Sequence, residues 1–141
     1  MSRKQTGFVL PAAIFLLVVL GALAAYLTNV TRINLAMNNL ELEGERAYWA
    51  AQAGAEAGIY QAAVLGLCVT QDIALAGELN RFVATVSCSQ TNANEGGQPV
   101  RLFQITSVAC NDPAAASPRC PNGASVSAEY VERQVGAMVE N

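Results

Sequence analysis

Four cysteines carry the plainest chemistry in this chain: Cys68, Cys88, Cys110 and Cys120. An even count with no CxxC pair reads as two disulfides rather than four thiolates on one zinc ion. Of the three possible connectivities, Cys68–Cys88 with Cys110–Cys120 is preferred. The second bridge would close a short Pro-rich loop, whereas Cys88 and Cys110 sit on hairpin strands that would meet out of register. Histidine is absent from all 141 residues. That removes the commonest general base and metal ligand, and with them any Ser-His or Cys-His nucleophile. Glu129 and Glu132 flank Tyr130 in an expected strand and point to opposite faces, so they form no acid–base pair. Asp72, Glu78, Glu95 and Asp112 fall in separate expected loops without EF-hand spacing. The chain is read as a non-enzyme needing no metal or cofactor.

The other reactive point is a peptide bond, Gly7–Phe8. It separates the basic leader Met1–Gly7, which carries Arg3 and Lys4, from Phe8–Leu27, an apolar run without a charge. A secretory signal peptide is cut after its apolar run, beside small residues. Here the obvious processing point precedes the run. Cleavage there would remove residues 1–7 and leave Phe8 as a hydrophobic N-terminus.

These features must be positioned by a few elements. About 20 apolar residues at 1.5 Å rise span a bilayer core of roughly 30 Å. By the positive-inside rule the leader is cytoplasmic and everything after Leu27 lies outside, a compartment that permits disulfides. Net charge is −3, and loss of Arg3 and Lys4 leaves six basic against eleven acidic residues. No basic patch exists, which argues against nucleic-acid binding.

Pro11 stands near the start of the apolar run, where a helix tolerates it, and no proline follows until Pro99. One helix is expected from near Pro11 to near Leu67, roughly 85 Å long at 1.5 Å per residue. In its polar continuation, 28–67, small or apolar residues recur at Val30, Ile33, Met37, Leu40, Gly44, Ala47, Ala51, Gly54, Gly58, Ala62 and Leu65. Steps of three and four form one face, with Arg32, Asn38, Asn39, Glu43 and Gln52 opposite. The stripe would lie against a small domain. Ala50, Gly54 and Gly58, four apart, form a flat groove that either admits another backbone or, the preferred reading, lets the C-terminal sheet pack closely on the helix. Tyr48 and Trp49 are read as packing residues of the helix–sheet core.

Beyond Cys68 the pattern turns β-like over 68–141. Asn80–Thr91 alternates, with Phe82, Ala84, Val86 and Cys88 on one face and Val83, Thr85 and Ser87 on the other. Val100–Cys110 and Val126–Val139 are further expected strands. Thr91–Pro99 reads as a hairpin loop and Asn111–Ala124 as a longer loop stapled by Cys110–Cys120. The expected architecture is α+β: a long N-terminal helix on a small antiparallel sheet of three to four strands, held by two disulfides that a sheet this small needs.

A basic leader ending in Gly7, then Phe8, an apolar helix and a small β-domain resembles the type IV pilin and pseudopilin superfamily. Within it, Gly7–Gly21, Arg46–Glu56 and Tyr130–Val135 resemble the minor pilin-like proteins of mannose-sensitive haemagglutinin (MSHA) pilus systems. The resemblance implies that a prepilin peptidase cuts after Gly7 and methylates the amine of Phe8. The mature subunit would wait in the inner membrane, its domain in the periplasm, and pass through the assembly platform into a filament. There it would join the major pilin and other minor pilins at the cell surface, in a pilus whose role is cell adhesion, motility or DNA uptake. Segment 8–27 would be the filament-core half of the helix. Most pilins carry glutamate at the fifth mature position, thought to neutralise a neighbour's terminal amine. Here that position is Ala12. A subunit without the carboxylate gains nothing by inserting beneath a predecessor, which suits one that initiates or caps the filament; the alternative is a minor subunit that tolerates the loss inside the shaft. A tip pseudopilin of a type II secretion system is the nearest alternative, although 141 residues leave no room for that protein's inserted domain. From other classes come a signal-anchored periplasmic binding protein that keeps its leader, and an adhesin using the 111–124 loop. That loop lacks the aromatic residue that sugar sites usually offer.

Overall fold

The computed structural model describes residues 9–141, so the Gly7–Phe8 junction lies outside the described residues. Helix α1 runs Val9–Ala63 and is followed by β1 (Gln71–Ala74), a single 3-10 turn at Gly77–Leu79, β2 (Val83–Glu95), β3 (Gln98–Cys110) and β4 (Glu132–Glu140). The chain divides into two compact units, one reaching Asn39 and the other Leu40–Asn141. The described part of the first is helix alone. The second is α+β, with the rest of α1 packed on a four-stranded antiparallel sheet in the order β1-β2-β3-β4.

Nothing from Ala12 onward breaks α1 until Gly66, which takes φ +64°. Only glycine adopts that conformation freely, so the helix closes slightly before Leu67, and the Leu67 N–H returns to the Gln61 carbonyl at 2.9 Å. The last carbonyls still lack intrahelical donors. Asn141 supplies them: its Nδ2 donates to Ala62 O at 3.3 Å and Ala63 O at 3.0 Å.

The hairpin loop expected at Thr91–Pro99 is mostly strand. β2 and β3 stay paired out to Glu95↔Gln98, and only Gly96 and Gly97 turn, both at positive φ. Two such glycines match the twist of the flanking strands, so pairing continues to the tip. Pro99 is tolerated because β4 stops short of it, leaving its missing N–H on a side with no strand.

The third expected strand begins later, at Glu132 rather than Val126. Ser125 Oγ and Ser127 Oγ accept from the N–H groups of Ser127 and Glu129, at 3.4 and 3.2 Å. Such local bonds compete with a ladder, and Val126 is left fully exposed. Strand β1 had no clear signal, since its four residues are too few to show alternation.

One sheet face packs on α1. Phe82, Ala84 and Val86 from the β2 region join Phe103, Ile105 and Ala109 of β3, all essentially inaccessible. Against them lie Ala47, Ala50, Ala51 and Ala62. Among the described residues the opposite face is covered only at one end, where Val83, Cys110 and Cys120 cluster with Val108 and Tyr130.

Candidate functional site

The small-residue stripe explains how closely sheet and helix meet. A Cβ at Gly58 would stand 2.8 Å from both Ile105 Cγ2 and Val86 Cγ1. One at Gly54 would collide with Ser107 Oγ and sit 2.8 Å from Ala84 Cβ. The groove formed by Ala50, Gly54 and Gly58 is therefore filled by the chain's own sheet. Only Gly44 to Ala62 of the predicted stripe is buried. Ile33, Met37, Leu40 and Leu65 are exposed, because the buried stretch already covers the sheet's inner face. Tyr48 and Trp49 are also exposed, contrary to their expected place in the core. Where Ala47, Ala50 and Ala51 touch the sheet, the intervening residues point away, and the two rings pack edge-on at 5.7 Å between centroids.

The apolar run behaves differently. From Leu10 to Leu27 no charge occurs, and Leu10, Phe15, Leu17 and Leu27 are each more than 60% exposed. By length and composition this helix can cross a membrane. Ala12 lies in its first described turns beside Pro11, so no carboxylate stands there.

Both preferred disulfides are present. Cys68–Cys88 ties the segment after α1 to β2 with a Cα–Cα distance of 5.2 Å, and Cys110–Cys120 closes at 5.8 Å. The register sets Cys88 opposite Ile105 and Cys110 opposite Val83, so Cys88 and Cys110 never face each other.

The loop between β3 and β4 spends its polar groups on itself and on the sheet. Thr85 Oγ1 donates to Asp72 Oδ1 at 2.5 Å and accepts from the Cys120 N–H at 2.9 Å. The Arg119 N–H reaches the same carboxylate at 3.2 Å. Burial raises the Asp72 carboxyl, but hydrogen bonds from Ser117, Thr85 and the Arg119 N–H, with the nearby guanidinium, hold it below its ordinary value. Asn111 Oδ1 accepts from the Val131 N–H at 3.0 Å, and its Nδ2 donates to Glu129 O at 2.8 Å. Ser125 Oγ donates to Asp112 Oδ2 at 2.6 Å. Tyr130 OH donates to Glu132 Oε2 at 2.6 Å and accepts from the Asn122 N–H at 2.8 Å. Burial and the Glu132 carboxylate push that phenol up.

The carboxylates considered for catalysis or calcium are not brought together. Asp72 is in β1, Glu78 in the 3-10 turn, Glu95 at the hairpin tip and Asp112 beyond β3. Among the described residues no group of three or more His, Cys, Asp or Glu converges on a point. Sequence reasoning missed the Asp72–Thr85–Cys120 network, the Asn141 cap, and Glu43, whose Oε1 meets Arg46 at 3.0 Å and Arg81 at 3.5 Å. Only Thr85 carried a signal, a polar residue between apolar Ala84 and Val86. No family model, no curated protein and no solved structure matches the chain.

Proposed function

We propose that this chain is a minor pilin-like subunit of a type IV pilus of the MSHA kind, processed at Gly7–Phe8 and helping to initiate or cap the filament. The observation that carries the reading is the state of α1. Its apolar surface from Leu10 to Leu27 has no cover within the described residues, while its small-residue stripe is filled by the stapled sheet. A surface like the first wants lipid or other apolar helices, at roughly 25 cal/mol for each Å² removed from water. Inner membrane before assembly and bundled helices afterwards supply both environments in turn. The prepilin peptidase, the assembly platform, the major pilin and other minor pilins are the partners this reading requires.

Ala12 supports the placement at a tip. Without a carboxylate there, the helix offers nothing to a buried terminal amine of a neighbour. The test is the intact mass and N-terminal sequence of the protein from membranes, with and without a prepilin peptidase. A chain beginning at methylated Phe8 only when the peptidase is present is the expected result. A chain beginning at Met1 in both would leave a signal-anchored protein and overturn the proposal. Gold labelling of Ala12→Glu along filaments then tests the tip: incorporation should spread into the shaft, and unchanged tip restriction would sink the charge argument.

A further inference from the structure

The last strand leaves an edge open. Arg101 and Asn141 exchange two backbone hydrogen bonds, each of 3.0 Å. Such pairs alternate along an antiparallel ladder. The register therefore makes Phe103–Val139, Ile105–Ala137, Ser107–Val135 and Ala109–Arg133 the other bonded pairs between β3 and β4. The N–H and C=O groups of Gln134, Gly136, Met138 and Glu140 point away from the sheet. Among the described residues no strand, loop or side chain pairs with them. Only the Glu132 carbonyl, at one end, is taken, by Arg133 Nη1 at 2.9 Å.

Natural edges are usually blunted by brevity, proline, lysine, bulges or cover. The opposite edge, β1, has four residues and Asp72 bonded into the 111–131 loop. β4 has nine residues without proline or lysine, and its register with β3 is unbroken. On the outer face Gly136 contributes no side chain, and an open hollow of about 330 Å³ lies there among Gln104, Thr106, Gln134 and Met138. Glu132 and Glu140 stand four residues to either side of that glycine.

We propose that β4 accepts an extended strand of a partner polypeptide, paired antiparallel, with a large aromatic residue opposite Gly136 and lysine or arginine opposite Glu132 and Glu140. Strand addition satisfies the free backbone groups, an aromatic neighbour covers the glycine, and opposite charges across the ladder fix the register. A second copy fits worse. Centred on Gly136, β4 against itself sets Glu132 against Glu140 twice and leaves the hollow empty. Shifted by two residues either way, it sets Gln134 or Met138 against Gly136 and gives neither glutamate a cation. The inference stands apart from the pilus reading, since it uses only the sheet.

The test uses the full chain in dodecyl maltoside micelles, with amide hydrogen exchange of β4 as the readout. The probe is a nonapeptide of alternating threonine and valine, with lysine at both ends and tryptophan at the centre. Exchange at Gln134, Gly136, Met138 and Glu140 should slow by about tenfold or more with this peptide. It should be unchanged by the same peptide N-methylated at its third and seventh residues, which removes donors aimed at β4, or by one with glutamate at both ends. Equal protection by the methylated peptide, or none at millimolar probe, would overturn the proposal. So would protection of these four amides without peptide that rises with protein concentration alongside a dimer in sedimentation, for then the occupant is a second copy.

Discussion

Two stretches of one helix obey opposite rules of side-chain size. From Leu10 to Leu27 the bulky residues are apolar and exposed, whereas from Gly44 to Ala62 the stripe facing the sheet is glycine and alanine and is buried. Bulk in the first stretch presents surface to an environment outside the chain. Its absence in the second lets Ile105, Val86 and Ala84 approach the helix backbone. An exposed leucine at Leu17 and a buried glycine at Gly58 thus report two different kinds of neighbour, one external and one internal.

The comparison breaks most visibly in the first stretch. Leu17→Lys puts a charge near the middle of the apolar run, at a cost of about 2.5–3.5 kcal/mol on insertion scales. Alkaline extraction should release the variant from membranes, while the thermal midpoint of the disulfide-bonded unit in detergent stays put. Full retention in the membrane, or a fall in that midpoint, would show that the two stretches are not separable. In the second stretch Gly58→Ala gains helix propensity of up to about 1 kcal/mol but overpacks Ile105 and Val86, which typically costs about 1–3 kcal/mol. Its urea midpoint should fall. Gly21→Ala is the matched control, because among the described residues nothing lies within 4 Å of a Cβ added there. If both alanines are equally tolerated, the stripe is composition rather than packing.

Much of this was legible in residue types. The steps of three and four from Gly44 to Ala62 mark a face, and Ala-x-x-x-Gly-x-x-x-Gly marks a close approach, so the α+β fold and the helix–sheet contact could be read directly. Cys110–Cys120 was readable because its ends lie only ten positions apart, with two prolines between them. What failed were cases where local and long-range bonding compete. Val126 to Tyr130 alternates like a strand, yet two serine hydroxyls hold it in turns. Thr91 to Pro99 is rich in turn formers, yet thirteen paired positions on each side and a Gly96-Gly97 tip keep it in the ladder. Trp49 was misplaced because its size was weighed above its position off the Gly44–Ala62 stripe, which points it away from the sheet. A helix drawn this close to its sheet has no room for an indole beside Ala50. The Asn141 cap was invisible, since it joins positions 79 and 78 residues apart.

A smaller effect sharpens the internal contact. Ser107 is fully buried, and among the described residues its Oγ has no hydrogen-bond partner. An unpaired buried hydroxyl typically costs about 1–3 kcal/mol, so Ser107→Ala should stabilise the unit, by about 1 kcal/mol once lost contacts are allowed for. Ser107 Oγ is also the atom nearest a Cβ added at Gly54. Gly54→Ala should therefore be partly rescued by Ser107→Ala, with Ala84 Cβ accounting for what remains. A double-mutant cycle in urea with no coupling between the two sites would mean that the helix shifts as a body rather than meeting that hydroxyl.

The smallest expected effect lies away from the helix, where the sheet is gripped by its own loop. Asp72 accepts from Thr85 and from the Arg119 N–H, and its carboxyl is held below the ordinary value of 3.8 despite burial. As pH falls, the unfolded chain protonates this group first. Between the folded and ordinary values the unfolded state binds more protons, so stability rises with pH across that window. The contribution is complete above the ordinary value and disappears as pH drops through the folded one. Asp72→Asn keeps an acceptor oxygen but cannot titrate. Urea midpoints measured from about pH 6 down to about pH 2 should then show a shallower acid limb for the variant, with the gap from wild type constant above the window. Parallel acid limbs would mean that the carboxylate holds the loop only as a neutral acceptor would. The grip would then rest on Thr85 and the Cys110–Cys120 bridge, an internal contact as indifferent to charge as the one between Gly58 and Ile105.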